Sequence, residues 1–310
     1  MSQREVGIPS GASGPDLSIS IVNYNAIDYL DKCVQSIINT IKDHSYEIIV
    51  VDNASDDGSV QLISKKYPEV TIVQNDENLG FIKANNIGLN RSKGKYIMSL
   101  NNDTIVLSGA VDKLIEFLDE NPDAGAAGPK LLNSDGSIQL QARRGFPTPL
   151  NSFFYFSGLS RLFPKNRLMG GYLLTYLDDE ATAEVDSLCG AAMIVRREGI
   201  SEVGLMDESY TMYGDDIDWC YRIKKAGWKV YYFPEAEIIH YGGRGGSRRQ
   251  SYRNIFEFHR AMAVFYGKHY AKISLFLVNW TVYAGIWLKC AVELTRNLFR
   301  KEKYVGSKKP

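Results

Sequence analysis

Over the first 130 residues, short apolar runs alternate with apolar stripes that have helical spacing. The runs are mostly apolar and short, as expected for strands buried in the centre of a parallel sheet. They span 17–23, 48–51, 70–74 and 96–100. Between the runs, apolar residues recur every three or four positions, which predicts helices at 30–41, 56–67, 81–91 and 111–118. This alternation predicts an α/β fold with a Rossmann-like, mainly parallel sheet and helices on both faces.

The pattern changes near Gly128. Residues 130–186 are rich in glycine, proline and aromatic residues, among which cations are interleaved (Arg143, Arg144, Arg161, Lys165 and Arg167). A stretch this long without clear elements predicts a lid or an acceptor surface. Beyond it, the pattern predicts a strand at 188–195, a helix from Asp216, a strand at 229–233 and a helix at 249–268.

The two ends of the chain differ from this pattern. Residues 1–16 are rich in Gly, Ser and Pro and predict a flexible arm. Residues 273–288 form an uncharged, mostly apolar run with Trp and Tyr, followed by a cationic tail. This combination predicts a helix on the surface of an anionic membrane. The alternative is a helix that packs on the protein's own core or in a dimer.

Composition narrows the range of partners and compartments. Lys+Arg and Asp+Glu each number 36, so the chain has no overall positive field to hold a nucleic acid. The four cysteines are widely spaced and form no CxxC pair, which predicts thiols in a reducing compartment. We therefore expect a cytoplasmic protein, with the C-terminal segment at the cytoplasmic face of the membrane.

Polar residues follow the second and fourth predicted strands, where ligands bind to open α/β sheets. Asp52 can accept the imide N–H of uracil or thymine, and the neighbouring Asn53 and Ser55 can add base or ribose contacts. Capping a helix is the alternative role for Asp52. Asp103 is the charged residue of an Asn-Asn-Asp cluster. One carboxylate suffices for Mg²⁺ or Mn²⁺ when diphosphate oxygens complete the shell, although a simple turn also explains the cluster.

Two further clusters lie in the second half of the chain. Asp215 and Asp216 open a predicted helix and can supply a general base, the alternative being a solvated acidic helix start. His240 ends a predicted strand and precedes a Gly-rich segment containing Arg244, whose backbone can approach a diphosphate. His240 is accordingly a candidate second metal ligand, or a structural histidine.

Together these segments resemble the family 2 glycosyltransferases, inverting enzymes of GT-A fold, and within them the rhamnosyltransferase-like branch. The resemblance covers about 19–246, and its motifs occur in the family's order. They are IVNYN, VDNASDDGS, NLGFIKANNIGL, SLNNDT, GAAMIVRRE, GLMDESYTMYGDDIDWCYRIKKAGW and HYGG. The resemblance implies a GT-A domain at 17–248, with a nucleotide-binding half at 17–130 and an acceptor half at 131–248. A helical extension follows at 249–310.

The resemblance also implies roles for single residues. Asp103 stands at the last acid of the DxD metal motif, here reduced to Asn-Asn-Asp, and His240 faces the metal or diphosphate. Asp215 and Asp216 replace the usual Glu-Asp pair, so that Asp216 falls on the catalytic base. Seven residues are expected to contact the nucleotide sugar: Asn23, Asp52, Asn53, Lys83, Asn86, Asn102 and Arg244.

We therefore expect an inverting glycosyltransferase that uses Mg²⁺ or Mn²⁺. The resemblance favours dTDP-rhamnose as donor, followed by UDP-hexoses, and a glycan or lipid-linked acceptor. The alternative is a nucleotide-sugar-binding protein of the same fold without transfer activity. A nicotinamide-dependent oxidoreductase is disfavoured, because the first strand-to-helix turn reads NYNAID and lacks the GxGxxG pyrophosphate turn.

Overall fold

The computed structural model describes residues 14–242 and 252–300, so most of the predicted arm at 1–16 lies outside the described residues. The strands are β1 (Leu17–Asn23), β2 (Tyr46–Asp52), β3 (Thr71–Gln74), β4 (Tyr96–Asn101), β5 (Thr104–Val106), β6 (Ala124–Leu132), β7 (Arg143–Arg144), β8 (Ala183–Glu184), β9 (Ser187–Leu188), β10 (Ala192–Arg196) and β11 (Lys229–His240). The helices are α1 (Ile27–Thr40), α2 (Ser59–Lys66), α3 (Phe81–Arg91), α4 (Ala110–Glu120), α5 (Pro149–Ser157), α6 (Leu159–Leu162), α7 (Arg197–Val203), α8 (Asp215–Lys225), α9 (Tyr252–His269) and α10 (Phe276–Leu298).

The expected α/β architecture is confirmed. One large sheet has the order β3-β2-β1-β4-β10-β6-β11-β5, and β8 also pairs with β11. Strands β3, β2, β1 and β4 are parallel neighbours, as are β6 and β11, while β10 runs antiparallel between the two parallel groups. A second sheet consists of β7 and β9. The sheet is therefore parallel over its first four strands, β3-β2-β1-β4, and mixed beyond them.

Alternating residues of the central strands pack on helices at opposite faces of the sheet. In β2, Ile48 and Val50 join the larger core, which includes Val34 of α1. Ile49 belongs instead to a smaller cluster that includes Ala84 of α3. Strand side chains alternate between the two faces of the sheet, and helices cover both faces, so both sets are buried. This double covering explains why β2 is apolar without alternation in the sequence.

The predicted strand at 188–195 is wrong, because the chain forms two short strands there instead of one. Strand β9 ends at Leu188 and β10 begins at Ala192. Between them the chain turns, and the Ala192 N–H lies 3.4 Å from the Cys189 carbonyl oxygen. The Gly190 N–H donates to a side chain of α8 rather than to a neighbouring strand. The apolar pattern runs through this turn and hides it.

Two other predicted boundaries differ from the structure. The strand expected at 229–233 continues to His240, with a register shift between Phe233 and Glu237, where Pro234 has no N–H to donate. The segment at 130–186, expected to be loop, carries the short helices α5 and α6. Helix α5 begins where the Thr148 hydroxyl accepts the Asn151 N–H at 3.1 Å.

The C-terminal extension is a pair of helices that leaves an apolar surface uncovered. Helix α9 packs against α8 through Phe265, whose ring is 5.7 Å from that of Tyr221. Helix α10 packs on α9, yet the side chains of Phe276, Trp280 and Leu288 remain exposed. Within 14–242 and 252–300, the helices are too short or too polar to cross a membrane.

Candidate active site

A hydrogen-bonded network of polar side chains lies at the ends of the parallel strands. Strands β1 and β2 pair in register, so that Asn23 lies beside Asp52 at their last positions. The Asn23 side-chain amide donates to Asp52 Oδ1 at 2.9 Å and accepts from Asn102 Nδ2 at 2.9 Å. We call Asn23, Asp52, Asn102, Asp103 and His240 the strand-end cluster. Its members lie close together as the sequence predicted.

Asp52 is buried, and three hydrogen-bond donors approach its carboxylate. Ser55 donates its hydroxyl to Oδ1 at 2.6 Å and its N–H to Oδ2 at 2.9 Å, in addition to the bond from Asn23. An ionised carboxylate offers about four acceptor sites, so one remains for a ligand. Asn53 lies beside it and accepts a bond from Asn75 Nδ2 at 2.9 Å. The site therefore suits a ligand that brings a single N–H donor.

Asp103 and His240 face each other at the other end of the cluster. Gln139 Nε2 donates to the His240 carbonyl oxygen at 2.6 Å, which leaves the acceptor atom Oε1 3.0 Å from His240 Nδ1. Nδ1 therefore carries a proton. On the other side of the ring, Nε2 lies 3.3 Å from Asp103 Oδ1 and 3.4 Å from the amide donor Asn101 Nδ2.

The residues around this pair fit a divalent cation. Asp103 supplies a carboxylate, His240 an oriented imidazole, and Gln139 holds the imidazole in place as an outer partner commonly does in metal sites. The nearby Asn101 Oδ1 is buried without a hydrogen-bond partner. Across 14–242 and 252–300, side chains provide no group of three or more His, Cys, Asp or Glu that could hold a metal. A cation here needs ligand oxygens from the substrate as well.

The second cluster forms at the start of α8, which follows left-handed backbone at Tyr213 (φ 68°) and Gly214 (φ 80°). Arg144 Nη2 donates to Asp216 Oδ2 at 2.5 Å, and the Gly190 N–H donates to the same oxygen at 3.0 Å. We call Arg144, Gly190, Asp215 and Asp216 the helix-start cluster. It brings together three segments that are far apart in the sequence.

The three acids of α8 have different surroundings. Burial, and next the charge of Asp216, raise the pKa of Asp215 to about 7. Asp218 is 0% exposed and accepts bonds from Arg222 Nε at 2.8 Å and His269 Nε2 at 2.7 Å. Burial alone would raise the pKa of Asp218, but these two bonds outweigh burial and lower it. Asp218 therefore links α8 to α9, while Asp215 and Asp216 remain for chemistry.

The turn between β9 and β10 connects the two clusters. The Ala191 carbonyl oxygen accepts the Asn101 N–H at 2.9 Å, two residues before Asp103. The preceding residue, Gly190, donates to Asp216. Neighbouring residues of one turn therefore hold both the candidate metal ligand and the candidate base.

The other predicted site residues lie around this core or beyond it. The Asn86 side chain donates to the Met206 carbonyl oxygen at 2.9 Å and to Glu208 Oε1 at 3.0 Å, so it anchors the segment that leads to α8. Lys83 is exposed on α3. Arg244 lies outside the described residues.

Comparison with known proteins identifies the family. The family model for glycosyl transferase family 2 matches residues 18–199, more than half of the chain. The chain belongs to glycosyl transferase family 2. This family 2 enzyme is thus a glycosyltransferase, as the sequence motifs indicated.

Two curated relatives of this family 2 enzyme cover most of its length. One is the N-acetylglucosaminyl-diphospho-decaprenol L-rhamnosyltransferase of Mycobacterium tuberculosis, 26% identical over 93% of this chain and 95% of its own. The other is a rhamnosyltransferase of Escherichia coli, 27% identical over 78% of this chain and 88% of its own. Both support the rhamnosyltransferase-like branch.

A solved structure supports the GT-A fold. It is a mannosyltransferase from Pyrobaculum calidifontis in complex with GDP-Man and Mn²⁺, with a TM-score of 0.56 and 16% identity. The match covers 95% of this chain and 76% of that chain. Identity at this level carries the fold alone.

Two residues of the site, Gln139 and Arg144, were left without a role by the sequence analysis, and a third has a different role from the expected one. Ser55, expected to contact the base or ribose, donates two bonds to Asp52 in the turn after β2. Gln139 lies in a segment without periodicity. Arg144 was noted only as one cation among several. The signal that could have found Arg144 is the Arg-Arg pair, since a buried carboxylate requires a partner.

Proposed function

We propose that this enzyme transfers rhamnose from a nucleotide-diphosphate donor to a hydroxyl of a lipid-linked glycan, with inversion at the anomeric carbon. The observation that carries the proposal is the turn at Gly190 and Ala191. It bonds to the Asp216 carboxylate at the start of α8 and to the Asn101 N–H at the end of β4, so the candidate base lies at the same edge of the sheet as the Asn-Asn-Asp cluster.

In the proposed reaction, the strand-end cluster binds the donor. Asp52 accepts the imide N–H of thymine or uracil at its remaining acceptor site, whereas guanine would bring two neighbouring donors. Asp103 and His240 hold Mg²⁺ or Mn²⁺ together with the diphosphate. When bound, that cation supplies positive charge beside the leaving group. Asp52 is buried, and Asn23 and Ser55 take up three of its acceptor sites, so the remaining site suits an N–H donor of the nucleobase.

At the helix-start cluster, Asp216 takes the proton of the acceptor hydroxyl. The acceptor oxygen forms its bond to the anomeric carbon from the face opposite the diphosphate. The bond from that carbon to the diphosphate oxygen breaks, and its electron pair leaves with the diphosphate. A single displacement of this kind inverts the configuration. Asp215, whose pKa is raised to about 7, lies beside the base and is partly protonated at neutral pH.

The acceptor assignment is supported by the Mycobacterium tuberculosis relative, whose name contains a lipid-linked sugar, and by the exposed face of α10. Phe276, Trp280 and Leu288 are exposed on this helix, and Lys289 and Arg296 lie farther along it. Aromatic and aliphatic side chains with flanking cations suit the interface of an anionic membrane. We propose that α10 holds the enzyme at such a surface, where lipid-linked acceptors reside.

The first test is calorimetric titration of the enzyme with dTDP, UDP and GDP, with and without Mn²⁺, followed by a transfer assay. We expect dTDP or UDP to bind about tenfold more tightly than GDP, and more tightly with Mn²⁺ than without. Asp216→Asn should lower transfer at least about 10³-fold and leave nucleotide affinity nearly unchanged. Asp123→Asn, a surface control, should resemble the wild type.

Three outcomes would contradict parts of the proposal. Equal affinity for the three nucleotides would remove the role of Asp52. Retention at the anomeric carbon, measured by NMR of the product, would exclude single displacement. Nucleotide binding without transfer to any glycan or lipid-linked acceptor would favour a nucleotide-sugar-binding protein instead.

The membrane surface has its own test with two matched residues. Leu277 on α10 and Leu162 on α6 are both 72% exposed. We expect Leu277→Ser to weaken sedimentation with vesicles that contain anionic lipid, and Leu162→Ser to leave it unchanged. Equal sedimentation of both variants and the wild type would exclude this face as the membrane contact.

A further inference from the structure

Arg143 and Arg144 are neighbours in the sequence, but their side chains point in opposite directions. They form β7, which pairs antiparallel with β9 in the register Arg143↔Leu188 and Arg144↔Ser187. Successive side chains of a strand point to opposite faces. Arg143 points toward Asp179, and its Nη2 donates a hydrogen bond to Asp179 Oδ1 at 2.6 Å. The Arg143 guanidinium also lies 4.5 Å from the ring centre of Tyr232. Arg144 turns to α8.

Arg144 contacts Asp216 in a nearly buried pocket. Its Nη2 donates to Asp216 Oδ2 at 2.5 Å and to the Leu188 carbonyl oxygen at 2.6 Å. The Gly190 N–H also donates to Asp216 Oδ2, and the Ile217 N–H donates to Asp216 Oδ1 at 2.8 Å. Asp216 thus has both oxygens engaged from separate directions. The Arg144 side chain is anchored to the main chain of β9 and cannot follow Asp216 if that residue moves.

We propose that Arg144 is a positioning residue for the transfer reaction: it fixes the carboxylate of Asp216 toward the acceptor and holds a positive charge beside it. This inference rests on the proposed role of Asp216 as base. Arg144 lies within the matched residues 18–199 but outside the sequence motifs that carry the resemblance.

The charges around Asp216 agree with this task. Asp215 and Cys220 approach from α8, and Cys189, Tyr172 and Arg144 approach from the loops and β7. Burial would lower the pKa of Arg144, but the charge of Asp216 outweighs burial and raises it, so the guanidinium stays charged. Two adjacent carboxylates share a proton more readily than they ionise together. The Arg144 guanidinium lies directly on Asp216, whereas burial, and next the charge of Asp216, raise the pKa of the neighbouring Asp215 to about 7.

The test compares Arg144→Lys and Arg144→Met with the matched controls Arg143→Lys and Arg143→Met. We expect Arg144→Met to lower kcat about 10²-fold with little change in nucleotide affinity, because the base loses its orientation. The acidic limb of kcat/KM against pH should move to higher pH, because a carboxylate that loses an adjacent cation takes up a proton more readily. Arg144→Lys should restore part of both losses. The Arg143 variants should keep the acidic limb of kcat/KM at the same pH as the wild type.

The results separate this inference from the proposed function. An active Asp216→Asn enzyme would overturn the base assignment and the role of Arg144 together. An inactive Asp216→Asn enzyme, combined with Arg144→Lys and Arg144→Met enzymes whose limbs match the wild type, would overturn the role of Arg144 alone. Nucleotide binding by each variant shows that it is folded, and Arg144→Lys keeps the test decisive if Arg144→Met does not fold.

Discussion

The strand-end cluster and the helix-start cluster are built in different ways. Asn23 and Asp52 are the last residues of adjacent parallel strands in register, and Asn102 and Asp103 follow the next strand. Regular sheet geometry is enough to bring them together. Arg144, Gly190 and Asp216 come from a two-residue strand, a turn and a helix start that no regular pairing relates.

This difference has consequences for how each cluster tolerates change. The sheet holds the strand-end cluster through many backbone bonds, so single substitutions there should alter chemistry more than structure. The helix-start cluster depends on left-handed backbone at Tyr213 and Gly214 and on a tight contact at Gly190. Substitutions there should disturb position or stability together with chemistry.

After Asp216→Asn, the next largest effect is expected in the strand-end cluster, from Asp103→Asn. Loss of this carboxylate should lower metal-dependent transfer about 10²–10³-fold, because charge on the leaving diphosphate is no longer offset. Calorimetry should show nucleotide binding that no longer strengthens with Mn²⁺. Unfolding by urea should be close to that of the wild type, as the sheet remains intact. Unchanged enhancement by Mn²⁺ would move the metal site away from Asp103.

A smaller but clear effect on stability is expected from Asp218→Asn, next to the helix-start cluster. Removing this buried charge leaves Arg222 and His269 without their carboxylate, at a cost of about 3 kcal/mol in the free energy of unfolding. Denaturation in urea measures it, with Asp123→Asn as surface control. A loss below about 1 kcal/mol would mean that the three side chains are not a buried ion network.

The same group predicts a pH dependence for the wild type. The folded-state pKa of Asp218 is lowered from 3.8. Its contribution to stability is therefore present above that value and is lost as the pH falls through the lowered pKa. Urea midpoints of the wild type should fall steeply in acid, and those of Asp218→Asn less so.

The two clusters also differ in how far the sequence predicted them. The position of Asn102 beside Asn23 followed from strand ends alone, since parallel strands finish at one edge. The role of Arg144 did not, because Arg143 has the same chemistry and only the pairing with β9 separates them. The break at Gly190 was missed for a related reason, as Cys-Gly-Ala continues an apolar run. Long-range pairing of short segments leaves no periodic signal.

A smaller effect on the strand-end cluster is expected from Gln139→Leu. Leucine keeps the volume but removes the bond that orients His240, so affinity for Mn²⁺ in the presence of nucleotide should fall about tenfold. Gln141→Leu, at an exposed neighbouring glutamine, is the matched control for calorimetry. Equal metal affinity in the two variants would mean that His240 needs no help from Gln139.

The smallest effect is expected in the helix-start cluster, from Gly190→Ala. A methyl group at this position would lie 3.3 Å from Asp216 Cβ, which is tight, so the aspartate must shift by a few tenths of an ångström. Transfer should slow several-fold, on the order of 3- to 10-fold, with nucleotide affinity preserved. Gly199→Ala is the control, because its added methyl group meets atoms no closer than 3.9 Å. A wild-type rate for Gly190→Ala would show that the cluster adapts as readily as the sheet, and the contrast between the two clusters would then lie in their assembly and not in their tolerance.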